Sequence, residues 1–385
     1  MEENMKKKYR ILFFGSGDFP VRTFEHLINS GYDIAGVVTT IGKKFFEEKA
    51  VVDVANENHI DCICLRRPEG QEFMDWLDRH PAEIFCVISY KFLSSEVLKR
   101  ASLCAFNVHA SLLPFLRGAA PINRAILYGF KETGLTAFRL SDKLDCGNIL
   151  ENMKVTIDEN ENFGSLHQKL SSECPEFTQR VIDGIIAGEY KAEIQQPDCV
   201  NLDIMRAPKL NQNDFKFWPW EGANKDNAYD LILKRIKSVS PVHGFAFPVA
   251  VYDNFACNRD EYGFERPIKQ LIIKVYDAEV RDLTPEDIEQ MNAGSILPTT
   301  TKDEYGYYNF MSEVLHTDFK TYMYAVLNCK ELKRLYFKRV QMPGKKTMDI
   351  ASFVKGLQHF NRDGIEFRLE ELKDWWVYDE NDNLK

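Results

Sequence analysis

The sequence predicts an α/β domain built on a mostly parallel sheet with helices on both faces, followed by a smaller domain of β-barrel type. Three observations carry that expectation. Short apolar runs alternate with amphipathic helical segments through the first half of the chain, the pattern of a parallel sheet buried on both sides. Near Gln195 the composition turns to Pro, Asn and Asp, the chemistry of a connection. Beyond it, one helical segment precedes several short strand-like runs, as in a small barrel.

Each element has its own signal. Tyr9–Gly15 is an apolar run closed by glycine, and Phe19–Ser30 has helical periodicity ended by Gly31. Strands at Tyr32–Thr40, Asp61–Leu65, Ile84–Tyr90 and Cys104–His109 alternate with helices at Ala50–His59, Gln71–Arg79 and Ser94–Arg100. A helix at Pro121–Tyr128 leads to strands at Gly134–Leu140 and Ile149–Ile157. Ser165–Ala187 reads as helix, with Pro175 predicting a kink or restart and Gly188 a stop. After the connection come a helix at Ala228–Ser238 and strands at Phe245–Tyr252, Gln270–Val280, Ser295–Leu297, Thr321–Leu327 and Leu335–Gln341. The expected division is a first domain over 1–195, a linker over 196–227, a second domain over 228–360 and an acidic tail over 361–385.

Bulk properties exclude several classes. At 385 residues the chain accommodates two domains, and 44% hydrophobic against 28% charged residues is ordinary globular composition. No apolar stretch approaches the roughly 18 residues of a membrane span. The charged segment Met1–Arg10 lacks the features of a signal peptide. A cytoplasmic location is therefore expected, with no membrane partner. The net charge of −9 argues against binding nucleic acid by bulk electrostatics. It leaves room for a local basic face, such as Lys234, Arg235 and Lys237. The nine cysteines include Cys62, Cys64, Cys86 and Cys104 in apolar segments without metal-ligand spacing, so reduced core thiols and no metal are expected.

Gly15-Ser16-Gly17 follows the first strand, yet Pro20 stands where a dinucleotide fingerprint needs its third glycine, and Asp33 comes too soon for a ribose acid. A tight turn is the simpler reading. Asn107-Val108-His109 ends the fifth strand, where open α/β sheets place ligands. Positions 107 and 109 share a side of a strand, so an amide donor and an imidazole face one pocket. Acyl transfer to an amine needs a donor aimed at the developing oxyanion and a group that manages the amine's proton. Asn and His supply both, although such a pair on its own is usually structural. Asp145, in Leu144-Asp145-Cys146-Gly147, is a turn carboxylate that could orient the imidazole or hold a water.

The stretch FNVHASLLPFLRGAAPINRAI, Phe106 to Ile126, closely resembles the signature of the folate-dependent formyltransferase family. That family includes methionyl-tRNA formyltransferase, glycinamide ribonucleotide transformylase and the amino-sugar N-formyltransferases. The resemblance implies a Rossmann-like first domain, an OB-like second domain and 10-formyltetrahydrofolate as formyl donor. It also implies a catalytic trio of Asn107, His109 and Asp145. Asn107 would bond the formyl oxygen as it becomes an oxyanion, His109 would stabilise the intermediate and handle its proton, and Asp145 would tune His109 and order a water. Ser111, Leu112, Leu113 and Pro114 match the element that borders the folate. The pterin groove would be lined by Ser89, Tyr90, Lys91, Phe92 and Leu93 and by the loop from Asp142 to Asp145. Lys91 could equally be an exposed turn residue, and Arg117 could touch the acceptor or brace its loop.

The resemblance spans roughly residues 9–357. Ala207-Pro208-Lys209-Leu210 and the run from Gln341 to Met348 match segments of the methionyl-tRNA formyltransferases, with Lys345-Lys346 implied in barrel folding or RNA approach. Three departures point elsewhere. Thr39 to Lys44 lacks most of the basic loop of those enzymes, the second domain is close to neutral, and that domain is enlarged over 253–267 and 299–320. The alternative acceptor is a nucleotide-linked amino sugar. Pro241–Phe247 resembles a stretch of such enzymes, and Trp218, Trp220 and Tyr229 are aromatic residues available to stack on a base. The two C-terminal matches favour methionyl-tRNA.

Overall fold

The computed structural model describes residues 8–40, 49–190, 195, 206–216, 227–253, 269–283, 314–317, 323–325, 333–356 and 365–369. The chain divides into two compact units, Met1–Leu210 and Asn211–Lys385.

The first unit is one seven-stranded sheet. Its strands are β1 (Arg10–Gly15), β2 (Asp33–Thr40), β3 (Cys62–Leu65), β4 (Ile84–Ile88), β5 (Cys104–His109), β6 (Glu132–Arg139) and β7 (Ile149–Thr156), in the order β3-β2-β1-β4-β5-β6-β7. The five from β3 to β5 are parallel. β6 and β7 are added antiparallel, the β6–β7 connection over 140–148 being short enough for such a pair. The helices are α1 (Val21–Asn29), α2 (Lys49–Glu57), α3 (Gln71–Arg79), α4 (Ser95–Leu98), α5 (Pro121–Leu127) and α6 (Phe163–Ala187). Phe13, Phe106 and Val108 pack on one face with α1, α2, α5 and α6. Phe14, Phe85 and Val87 pack on the other with α3 and α4. Both faces are buried, which is why these strands read as unbroken apolar runs.

Pro175 neither breaks nor restarts the sixth helix, which is a single element of 25 residues. An interior proline costs about 3 kcal/mol, and here the burial of Leu166, Leu170, Cys174, Phe177, Val181 and Ile182 offsets it. The helix begins two residues earlier than its apolar pattern because Asn162 caps it. The Asn162 side chain accepts from the Ser165 N–H, and the Ser165 hydroxyl lies 3.0 Å from the Asn162 N–H. Strand β4 stops at Ile88, short of the expected Tyr90, because Ser89 turns to φ 52°. Gly15-Ser16-Gly17 is a turn: a Cβ on Gly15 would stand 2.8 Å from the Phe13 ring, and Gly17 has φ 79°. Ser16 Oγ lies 2.8 Å from Thr40 Oγ1, joining the ends of β1 and β2.

In the second unit α7 (Ala228–Val239) precedes β8 (Phe245–Asp253), β9 (Lys269–Asp282), β10 (Val314–Thr317), β11 (Met323–Ala325), β12 (Lys333–Gln341), β13 (Met348–Asp349), α8 (Ile350–Gly356) and β14 (Ile365–Leu369). The order is β11-β10-β14-β8-β9-β12-β13, and β11 also pairs with β12. That extra pairing joins six strands into an antiparallel ring, with β13 on the outer edge of β12. Phe245, Phe247, Ile273, Val275, Leu335, Phe337 and Val340 fill its core with Tyr229, Ile232 and Ile236 of α7.

Two expectations are corrected here. Ile365–Leu369 lies inside the predicted tail but forms a strand between β10 and β8, so the sheet extends to residue 369. Val314–Thr317 lies inside the predicted insertion 299–320 but is strand β10. The described ends of the linker belong to the units beside them: Ala207 is buried with Leu116 and Ala125, and Lys216 bridges to Ala246. Ser295–Leu297, Ile41–Lys44, Trp218, Trp220, Lys320 and the segment from 370 lie outside the described residues. No described helix is long and apolar enough to cross a membrane.

Candidate active site

Phe106 and Val108 face the core under α1 and α6, so strand alternation turns Asn107 and His109 to the opposite side of β5. Asn107 is half-buried and His109 only 7% exposed. The chain then reverses and runs back along β6. The Leu113 N–H donates to Thr136 Oγ1 at 3.1 Å, and the Thr136 hydroxyl lies 2.6 Å from the Ser111 carbonyl. Leu113 packs on Phe138 and Ile149. This return path carries the loop to the β6–β7 turn, where Gly118 meets Asp145.

There the loop receives both remaining members of the trio. His109 Nε2 lies 2.9 Å from the Leu116 carbonyl. A carbonyl can only accept, so Nε2 carries a proton and Nδ1 is the basic nitrogen of the neutral ring. Asp145, 8% exposed, accepts the Gly118 N–H on Oδ2 at 2.8 Å. Oδ1 remains as an acceptor for a water or a partner side chain.

The backbone around these groups is strained. Of the four non-glycine residues with positive φ among the described residues, Ser89, Leu116 and Asp145 lie here, each held at a cost of order 1–3 kcal/mol. Two glycines make the approach possible. A Cβ on Gly118 would meet the Ala207 carbonyl oxygen at 2.5 Å, and one on Gly147 would meet the Arg139 carbonyl oxygen at 1.6 Å.

The expected folate-groove residues divide. Ser111 and Leu113 are buried, with the Ser111 hydroxyl donating to the Phe115 carbonyl at 2.7 Å; toward a ligand they offer main chain. Leu93 packs into the core with Phe14 and Val97. Tyr90 stands edge-on to Phe14 at 5.6 Å. Leu112 and Pro114 are half-buried, whereas Ser89, Lys91, Phe92 and Asp142 are exposed. Phe92 at 51% and Leu144 at 61% are large apolar side chains facing solvent, suited to the flat faces of a pterin. The Lys91 ammonium donates to the Arg66 carbonyl, tying its loop to the end of β3. Arg117 donates to Gln195, so its guanidinium braces the loop. Sequence reasoning missed Gln195 and the main-chain groups of Leu116 and Gly118. Only Gly118 left a trace, as the glycine of an R-G pair.

Tyr229 is fully buried in the second core, which removes it as a stacking platform for a base. Among the described cysteines, Cys86, Cys104 and Cys174 are buried, and burial pushes their thiols up. Cys64, expected in the core, is exposed on the edge strand β3. No group of three or more His, Cys, Asp or Glu among the described residues is placed to hold a metal.

An amide and an imidazole on one strand end, with a carboxylate held by the loop that follows, are the kinds of group that acyl transfer to an amine uses. Residues 9–182 match the formyl transferase family. A methionyl-tRNA formyltransferase of Flavobacterium johnsoniae is 28% identical over 357 residues, covering 91% of this chain and 97% of that protein. One from Bacteroides fragilis is 30% identical over 210 residues, 53% of this chain and 65% of that protein. In fold, the chain resembles the N-formyltransferase of Helicobacter canadensis, solved with folinic acid and dTDP-3-aminofucose. That match has a TM-score of 0.51 at 14% identity and covers 86% of this chain and 98% of the other. By these similarities the chain is a formyltransferase, an enzyme that transfers a formyl group from 10-formyltetrahydrofolate to a primary amine.

Proposed function

We propose that the amine is that of methionyl-tRNA, and that Asn107, His109 and Asp145 carry the reaction in the cytosol. The observation behind the acceptor is the reach of the similarity. It runs over 97% of the Flavobacterium methionyl-tRNA formyltransferase, and so includes the second domain.

The chemistry follows from the groups present. The neutral amine attacks the formyl carbon, and the carbonyl oxygen becomes an oxyanion. The Asn107 amide donates to that oxygen, an interaction worth about 3 kcal/mol where charge develops in a dry site. His109 Nδ1 takes the proton that the attacking amine loses, sets positive charge beside the oxyanion and then gives that proton up for transfer to N10. As the C–N10 bond breaks, N10 of the folate must gain the proton that the amine loses. A water held on Asp145 Oδ1 relays it. The pterin occupies the groove beside Ser89 to Leu93 and the turn from Asp142 to Asp145, against Phe92 and Leu144.

A nucleotide-linked amino sugar is the second acceptor considered, favoured by the near-neutral second domain. The test follows tetrahydrofolate release from 10-formyltetrahydrofolate with methionyl-tRNA and, separately, with a panel of nucleotide-linked amino sugars. Turnover with methionyl-tRNA that falls steeply with salt, as Lys and Arg contacts to phosphate require, supports the proposal. Turnover confined to an amino sugar overturns the acceptor and leaves formyl transfer standing.

A further inference from the structure

Gln195 lies 50 residues from Asp145 in sequence, within the first unit, and is only 6% exposed. Its amide has two acceptor and two donor positions, and all four are used. Oε1 accepts from Arg117 Nε at 3.0 Å and Nη2 at 2.5 Å. Nε2 donates to the Asp145 carbonyl at 3.2 Å and the Gly147 carbonyl at 2.7 Å. One side chain therefore binds the turn bearing Asp145 to the loop bearing Arg117 and Gly118.

We propose that Gln195 is a positioning residue for formyl transfer, setting where the Asp145 carboxylate stands. The inference rests on the reading of Asp145 given above. Asp145 has φ 51°, a conformation that persists only where surroundings over-determine it. Gly147 is pressed against the Arg139 carbonyl on one side. Gln195 holds the carbonyls on either side of Cys146. Through Arg117 it also anchors the loop whose Gly118 N–H binds the carboxylate. Without the amide, two buried carbonyls lose their donor, and the turn is free to relax away from Gly118. A displacement of about 1 Å in a catalytic group is enough to cost a hundredfold in rate.

The experiment compares Gln195→Met, Asp145→Asn and the double variant, with whichever acceptor of the panel above turns over. Thermal unfolding is recorded for each. Gln195→Met keeps the length and loses every hydrogen bond. Its kcat should fall about tenfold or more, with the KM for 10-formyltetrahydrofolate changed less than the kcat. The double variant should be no slower than Asp145→Asn alone, because Gln195 acts through Asp145. A purely structural role predicts unchanged kcat in folded Gln195→Met, or losses that multiply in the double variant, and either result overturns the proposal. Full turnover by Asp145→Asn would instead remove the reading of Asp145 on which it stands. If Gln195→Met fails to fold, Gln195→Glu carries the same comparison, since a carboxylate keeps Arg117 but cannot donate to the two carbonyls.

Discussion

His109 and Asp145, 36 positions apart in sequence, are held by main-chain groups two residues from each other: the Leu116 carbonyl takes the imidazole and the Gly118 N–H takes the carboxylate. Displacing this short loop moves acid–base group and carboxylate together. The loop thus acts as a jig for both.

If the imidazole acts on the intermediate and not on the pterin, as proposed, His109→Ala should abolish most formyl transfer while leaving folate affinity nearly intact. Kinetics of tetrahydrofolate release beside a folate binding titration would check this. Weakened binding with full turnover would be incompatible with the role assigned to His109.

Asn107→Ala should lower kcat by about 10²–10³, the loss seen when one oxyanion donor is removed. Asn107→Asp should do no better, since an ionised carboxylate repels the oxyanion. If either variant changes only KM, Asn107 binds the ground state alone.

Gly147→Ala should destabilise the protein by several degrees in Tm and reduce turnover, because its new methyl group would overlap the Arg139 carbonyl. Calorimetry with steady-state kinetics measures both. A variant as stable and active as the parent would mean that the turn can move away from β6 at no cost.

Asn162→Ala should remove the cap of α6, at a cost of about 1 kcal/mol, without altering kcat. Asn162 is exposed on its capping contacts and lies outside the site, so the variant separates stability from activity.

His167 gives the protein a pH-dependent term in stability. Burial, only partly offset by Asp18, lowers its pKa below the usual value, and it packs against Phe19 and Phe163. The unfolded chain binds the proton more readily. The stabilising contribution is therefore present above about pH 6.5 and is lost as pH falls through the folded pKa. His167→Gln should flatten the dependence of Tm on pH on the acid side. An unchanged slope would assign acid sensitivity to other groups.

Helix α3 and strand β5 coincide with their sequence signals because apolar periodicity and chain punctuation agree there. Pro175 does not restart the helix because a local steric rule is outweighed by tertiary burial. β14 went unread because Ile365–Leu369 is short, carries Glu366 and Arg368, and precedes a charged segment. The candidate site is proposed from residue type: Asn107, His109 and Asp145 carry a motif, and alternation puts the first two on one side. The contacts that assemble it were not legible in this way. They run through a backbone carbonyl, a backbone N–H and the side chain of Gln195, of which only Gly118, as the glycine of an R-G pair, left a mark in the sequence.

The strand order of the second unit has a consequence for synthesis. β14 is the last described strand, yet it sits between β10 and β8. A ribosome that has released the chain only as far as Gly356 presents β8 and β10 with unpaired edges, the surfaces on which strands from other chains add. Chaperone demand and vulnerability to degradation should therefore persist until residues 365–369 emerge, and chains terminated before them should aggregate far more readily than chains that carry β14.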